Sequence, residues 1–188
     1  MPHIPLDENL PGITGLLNYR LDTALPIRQL TQILLRGEST LTEGERELIA
    51  TVVSNGNQCR FCTNAHTAAA NVLLGETETA EKVKNDPDNA PVSQKMKYLL
   101  EIARQTQING KNVTPQLIEQ ARAAGATDLE IHDTVLIAAL FSLYNRYVDG
   151  LASVTPTDPD FYNRLAGILK TSGYLPSANR YAALKADE

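Results

Sequence analysis

Apolar residues recur at helical spacing along most of the chain, and residues that start or stop helices stand between them. Thr42-Glu-Gly-Glu45 has the form of a capping box, and apolar residues follow it at positions 48, 49, 52 and 53. Asn55-Gly-Asn57 then interrupts the pattern. A second helix is predicted from near Gln58 to about Leu74, where Gly75 provides a C-terminal stop.

Four later stretches have the same helical character. Ser93 opens one of them, and Thr114-Pro115 supplies an N-cap and a first-turn proline for another, which Gly125 closes. Thr127-Asp-Leu-Glu130 is a second capping box, and a last helix is predicted near residues 160–170. Residues 135–141 include no polar side chain, so we expect their helix at the centre of a bundle. Because strand signals are weak throughout, the pattern predicts an all-α fold.

The composition fits one globular domain. With 188 residues and 43% hydrophobic residues, the chain can bury one core. We assign residues 1–188 to a single domain, with its core at 26–150 and a C-terminal extension at 151–188. The 17 basic residues are scattered and the net charge is -5, so nucleic acid is not an expected partner. No apolar run approaches the roughly 20 residues that span a bilayer, and the N-terminus does not resemble a signal peptide. We therefore expect a cytoplasmic protein without membrane contact.

The two cysteines suggest redox chemistry. Cys59 and Cys62 close too small a loop to stabilise the fold by chain entropy, and in a reducing compartment such a pair is usually catalytic, redox-sensing or metal-binding. His66 follows four residues later, so all three side chains share one helix face. If the helix begins at Gln58, Cys59 lies in its first turn, where the helix dipole stabilises a thiolate. Such a group suits thiolate attack on a peroxide, disulfide formation and proton transfer by histidine.

Other interpretations of this group stay open. Structural zinc needs four ligands, and beyond the cysteine pair and His66 the chain offers only His3, His132 and carboxylates such as Glu47. A thioredoxin-like dithiol normally belongs to a β/α pattern, which is absent. Two packed cysteines beside an ordinary histidine remain a further alternative.

Glu47 lies opposite the apolar stripe of its helix. That face also holds Ala50, Thr51 and Ser54, which are small enough for the cysteine-bearing helix to approach closely. Glu47 would then reach His66 and fix its orientation, as a carboxylate does behind a histidine base. The alternative is a solvated glutamate among charged neighbours, and the sequence leaves both possibilities open.

The stretch Glu45-Arg-Glu-Leu-Ile-Ala50, followed by Asn57-Gln-Cys-Arg-Phe-Cys-Thr-Asn-Ala-His-Thr67, resembles the alkyl hydroperoxidase D-like (AhpD-like) group of the carboxymuconolactone decarboxylase family. The match is a glutamate twelve residues before Cys-x-x-Cys, followed by x-x-x-His. A weaker likeness in residues 141–150 and in Gly173-Tyr-Leu resembles the peroxidase-related branch. Decarboxylase members generally lack the cysteine pair, so the resemblance argues against lactone decarboxylation.

The resemblance implies an AhpD-like helical bundle that assembles into dimers, trimers or hexamers. It implies that Cys62 attacks, that Cys59 resolves, and that His66 with Glu47 relays protons. A hydroperoxide would be the substrate, and a lipoyl group or a thioredoxin-like protein would return electrons as the dithiol reductant. We expect no cofactor and no metal. A non-enzymatic redox sensor or a zinc-binding helical protein is the alternative function.

Five other residues also receive assignments. AhpD proper has a second histidine between its cysteines, whereas Phe61 occupies that position here and cannot carry a proton. We expect Phe61 to offer an apolar wall to a substrate, and Asn145 and Arg146 to line a pocket or an interface. Tyr174, together with Tyr181, is expected to cover a neighbouring subunit.

Overall fold

Nine α-helices make up most of residues 1–175, the part of the chain that this computed structural model describes. Two single-turn 3-10 helices, Pro87–Asn89 and Gly110–Asn112, lie between them, and the described residues contain no strand. The predicted all-α fold is confirmed. The α-helices are α1 (Ile13–Tyr19), α2 (Leu21–Arg36), α3 (Glu43–Gly56), α4 (Arg60–Leu74), α5 (Glu78–Asn85), α6 (Gln94–Ile108), α7 (Pro115–Ala123), α8 (Asp128–Gly150) and α9 (Pro159–Ser172).

Local capping residues set most of these helix boundaries. Thr42 and Thr127 each form the predicted capping box with the glutamate three residues later. Gly75 ends α4 in the left-handed conformation with a φ of 75°. The predicted start of α4 is two residues too early, because Gln58 has a φ of 60° and cannot continue a helix. Cys59 is therefore the N-cap residue of α4. It does not lie in the first turn of the helix, where the sequence predicted it.

Helix α3 forms the centre of the fold. All residues from Arg46 to Ser54 are buried, including the two charged residues Arg46 and Glu47 at the start of this run. Helix α4 packs along one side of α3, and α6 and α8 pack on others. Small residues such as Ala50 and Ser54 permit this close approach, as the sequence predicts.

Helix α8 is not the central helix, and that expectation is wrong. Ile137 and Phe141 face the core, but Ala139 is exposed, and the side chains of Leu129 and Leu143 lie largely in solvent. An apolar composition on every side is therefore compatible with a helix that covers the core from outside. None of the described helices is both long and apolar enough to cross a bilayer.

A second apolar cluster lies where α4 meets α9. Phe61 contacts Phe161 and Tyr162, with ring centroids 6.2 and 5.9 Å apart. Both cysteines belong to this cluster, together with Leu16 from α1. The described part of the C-terminal extension thus packs directly on the helix that carries the candidate site.

The two faces of α8 predict different costs for removing an apolar side chain. We expect Ile137→Ala to lower the free energy of unfolding by about 2–5 kcal/mol, because Ile137 is fully buried. We expect Leu143→Ala to change it by about 0.5 kcal/mol or less, because that side chain is 47% exposed. Urea denaturation of both variants measures the difference, and equal losses would contradict the assigned orientation of α8.

Candidate active site

The two thiols lie at the N-terminal end of α4. The Cys59 N–H donates to the Ser54 carbonyl oxygen at 3.1 Å, which fixes the short turn between α3 and α4. Cys59 is fully buried, whereas Cys62 retains a 2% exposed fraction. Both cysteines are free thiols in this structure. The site is therefore described in its reduced, dithiol state.

Cys62 rests as a protonated thiol. The hydrogen bond with Cys59, burial and the charge that an ionised Cys59 would carry together raise the pKa of Cys62 well above the usual thiol range. The Asn145 amide opposes them, because a hydrogen bond from its N–H stabilises the Cys62 thiolate and lowers that pKa. Position at a helix terminus is thus insufficient to ionise Cys62, and it needs a base to become a nucleophile.

A chain of side-chain amides leads to the thiols. Gln107 donates to the Asn57 side-chain oxygen at 2.9 Å, and Asn57 donates to the Asn145 side-chain oxygen at the same distance. Asn145 in turn donates to the Ser54 hydroxyl at 3.1 Å, and its amide contacts Cys62. Because both the oxygen and the nitrogen of the Asn145 amide are hydrogen-bonded, the amide is held with its N–H group towards Cys62.

His66 and Glu47 form a buried pair. The His66 Nδ1 atom lies 2.7 Å from Glu47 Oε2, and the Glu47 side chain is fully buried. The solvated alternative for Glu47 is therefore wrong. Since the ionised carboxylate only accepts hydrogen bonds, Nδ1 carries the hydrogen and donates it. In the neutral ring, Nε2 is then the atom that can accept a proton.

Glu47 has two further partners that sequence reasoning did not identify. Arg36 Nη2 donates to Glu47 Oε1 at 2.6 Å, and the Tyr174 hydroxyl donates to the same oxygen at 2.7 Å. Burial alone would raise the pKa of Glu47, but the hydrogen bond and charge of His66, the charge of Arg36 and the Tyr174 hydrogen bond lower it to about 2. The carboxylate is therefore ionised.

Tyr174 does not serve the role that its sequence position indicated. Its side chain turns towards Glu47 of its own chain, so the expectation that it covers a neighbouring subunit is wrong. Tyr181, given the same role, lies outside the described residues. Nothing in the sequence pattern near Arg36 or Tyr174 connects them to a carboxylate more than ten residues away along the chain.

An apolar cavity of about 60 Å³ opens beside the thiol. Cys62 and His66 line it together, and Phe61 and Phe141 form part of its apolar wall. His66 packs edge-on against Phe141, with ring centroids 4.5 Å apart. Cys59 does not line this cavity. Cys62 is consequently the sulfur that a small apolar molecule in the cavity meets.

The comparisons with known proteins find similarity to one family model and to solved structures with the AhpD-like fold. The model of the carboxymuconolactone decarboxylase family matches residues 25–84, which contain Glu47, both cysteines and His66. A peroxidase-related protein from Ralstonia eutropha, described as an alkylhydroperoxidase AhpD core, is 25% identical with a TM-score of 0.75, over 83% of this chain and 80% of that one. By these matches, residues 25–84 are similar to the carboxymuconolactone decarboxylase family, and the chain has the AhpD-like fold.

Two other solved structures share the AhpD-like fold. A peroxidase-related protein from Silicibacter sp. is 26% identical with a TM-score of 0.72, over 78% of this chain and 77% of that one. A protein of unknown function from Agrobacterium tumefaciens is 18% identical with a TM-score of 0.64, over 77% of this chain and 97% of that one. The latter likeness concerns the fold alone. A comparison with curated proteins finds no match.

Phe61 distinguishes this AhpD-like chain from AhpD proper, and the structure places its ring in the cavity wall. The ring packs against the backbone of Gly12, which has a φ of 61°. A Cβ atom at Gly12 would lie 2.3 Å from the Phe61 ring, so only glycine permits this contact. Phe61 therefore fits the apolar-wall interpretation.

Asn145 and Arg146 lie outside this cavity. They line a shallow surface groove together with Asn57 and Asp149. Asn145 is buried and reaches the thiols from that side, whereas Arg146 is exposed and donates to the Ser142 carbonyl oxygen at 3.0 Å. Among the described residues of this AhpD-like chain, no three His, Cys, Asp or Glu side chains are grouped to hold a metal ion.

The amide chain predicts a measurable effect on thiol reactivity. We expect Asn145→Ala to raise the pKa of Cys62 further, because a thiolate would lose a hydrogen-bond donor worth about 1.5–3 kcal/mol, or roughly one to two pH units. The midpoint of the pH profile for alkylation by iodoacetamide should move to higher pH by that amount. Arg146→Ala is the control, and a matching shift in both variants would contradict a specific role for Asn145.

The ionised Glu47 predicts a pH dependence of stability. Its pKa is lowered from the ordinary 4.5 to about 2, so its ionisation stabilises the folded state above pH 4.5, and this contribution is lost as the pH falls towards 2. We expect the difference in free energy of unfolding between the wild type and Glu47→Gln to shrink by roughly 3 kcal/mol as the pH falls over this range. Denaturation at several pH values measures it, and a constant difference would argue against an ionised Glu47.

Proposed function

We propose that this AhpD-like chain is a thiol-dependent peroxidase and disulfide oxidoreductase that reduces a hydroperoxide through Cys62 and Cys59. The observation that carries the proposal is the shared cavity, because Cys62 and His66 line the same apolar space while Glu47 holds His66 from behind. The peroxidase-related names of the similar structures support an antioxidant role. The thiol mechanism is our inference from the geometry.

In the first step, Cys62 gives its proton to Nε2 of His66 and attacks the terminal oxygen of the hydroperoxide. A sulfur–oxygen bond forms and the oxygen–oxygen bond breaks, so Cys62 is oxidised to a sulfenic acid and the peroxide is reduced. The leaving alkoxide takes the proton from His66 and departs as an alcohol. Glu47 keeps the ring oriented through both transfers.

In the second step, the Cys59 sulfur attacks the sulfenic acid of Cys62. A disulfide bond forms, the sulfur–oxygen bond breaks, and the hydroxyl group leaves with the Cys59 proton as water. The hydrogen bond between the two thiols supports this role for Cys59. A dithiol partner then returns two electrons by thiol–disulfide exchange, and its own thiols become a disulfide.

The cavity also favours a class of substrate. Its walls are mainly aliphatic and aromatic side chains, including Phe61 in place of a polar group. This apolar lining favours an organic hydroperoxide with an apolar body over hydrogen peroxide. We propose a lipoyl group or a thioredoxin-like protein as the reductant, and assembly as a homo-oligomer in the cytoplasm.

A thiol count before and after oxidation tests the proposed function. Alkylation and intact-mass measurement should show that one equivalent of cumene hydroperoxide removes both free thiols of the wild type. We expect Cys59→Ser to accumulate a sulfenic acid at Cys62 that dimedone traps, because no resolving thiol remains. We expect Cys62→Ser to keep its free Cys59, which lies outside the cavity.

Addition of dihydrolipoamide separates an enzyme from a sensor. Catalytic consumption of hydroperoxide by the wild type, but by neither cysteine variant, is the result expected of a peroxidase. Disulfide formation without turnover, combined with a change of oligomeric state, would favour a redox sensor. Two unreactive thiols, or thiols masked by a bound metal, would overturn the proposed chemistry.

A further inference from the structure

The two oxygens of the Glu47 carboxylate have different hydrogen-bond partners. Oε2 accepts from His66, whereas Oε1 accepts from both Arg36 and Tyr174. Because these two contacts use the other carboxylate oxygen, they do not compete with His66 for Oε2. They come from helix α2 and from the segment after α9, and both lie outside the Cys-x-x-Cys motif.

Arg36 supplies the charge that neutralises Glu47. A buried carboxylate with a histidine as its only partner would hold that histidine as an imidazolium, which already carries a proton and cannot act as a base. With Arg36 at 2.6 Å, the site is electrically balanced while His66 is neutral. It is balanced again once His66 holds the proton of Cys62 and that sulfur is a thiolate.

The Arg36 side chain is fixed for this task. It is 3% exposed, and Nη1 donates to the Leu35 carbonyl oxygen at 2.8 Å. Nε lies 3.6 Å from Glu43, and the guanidinium carbon sits 5.0 Å from the centre of the Tyr174 ring. The cation is therefore held against Glu47 from several directions.

Tyr174 is directed to Glu47 by the turn that follows α9. Gly173 has a φ of 59°, and a Cβ atom there would collide with the Gln32 side chain. The Tyr174 N–H donates to Gln32 Oε1 at 2.6 Å, which ties this turn to α2. Burial and the Glu47 charge raise the pKa of Tyr174 well above 10, so its hydroxyl stays protonated and remains a donor.

We propose that Arg36 and Tyr174 are positioning residues for the His66 base. They neutralise and orient Glu47, so that His66 is neutral before the reaction and able to return its proton afterwards. This inference rests on the proposed function and names two residues that the family-like motif does not include.

Other titratable and charged groups also face the pair or lie near it. All of these groups stay constant when variants of one chain are compared. They are Arg28 from α2, Glu43 and Arg46 from α3, Cys59 and Cys62 from α4, and Tyr144 from α8.

The test is a pH titration of the His66 ring by nitrogen-15 NMR, which requires no turnover. The chain has only three histidines, so loss of a signal in His66→Gln assigns the ring. We expect Arg36→Met to move the midpoint of the His66 titration up by one pH unit or more, because the anion then holds the ring proton alone. Arg36→Lys, which keeps the cation, should stay closer to the wild type.

Tyr174→Phe removes one hydroxyl and leaves the ring. We expect its His66 midpoint to move in the same direction by a smaller amount, and it decides the question if Arg36→Met does not fold. Arg104→Met removes a cation from a surface pair with Glu101 and should leave the midpoint unchanged. The rate of Cys62 alkylation against pH should follow the His66 midpoint in each variant.

An unmoved His66 midpoint in Arg36→Met and Tyr174→Phe would overturn the positioning role, even if the wild type reduces hydroperoxides. If the midpoint moves in these variants but the wild type shows no turnover, the positioning role is supported and the proposed function is overturned instead. The two failures are therefore distinguishable.

Discussion

The buried charge of Glu47 is the constraint on which the rest of the structure depends. An ionised carboxylate with no exposed surface is costly unless hydrogen bonds and an opposite charge satisfy it. Its three donors come from three different segments: Arg36 from α2, His66 from α4, and Tyr174 from the turn after α9. One buried side chain of α3 thus joins four parts of the chain.

Burial also helps to keep Cys62 protonated. Cys62 shares its environment with Cys59 and with aromatic rings, and these surroundings raise its pKa. In the proposed mechanism its ionisation depends on two groups, the Asn145 amide and the His66 base. A thiol that ionises only beside its base is protected from reagents that do not reach the cavity.

The features that the sequence predicts are those set by neighbours along the chain. The capping boxes at Thr42 and Thr127, and the shared face of Cys59, Cys62 and His66, follow from helical spacing. The start of α4 was missed because Gln58 is left-handed although it is not a glycine, and no residue pattern marks that conformation. The partners of Glu47 were missed because Tyr174 lies 127 residues away, and no periodic pattern encodes a contact at that separation.

The proposed reduction does not need a second relay histidine. Phe61 stands between the cysteines and cannot carry a proton, so within the motif His66 is the only proton carrier that lines the cavity beside Cys62. One carrier suffices for the proposed reduction, because the proton taken from Cys62 is the proton that the leaving alkoxide needs. The proposed reduction requires that His66 both accept this proton and return it. A carboxylate neutralised by Arg36 permits that exchange, whereas an unpaired carboxylate would hold the proton on the ring.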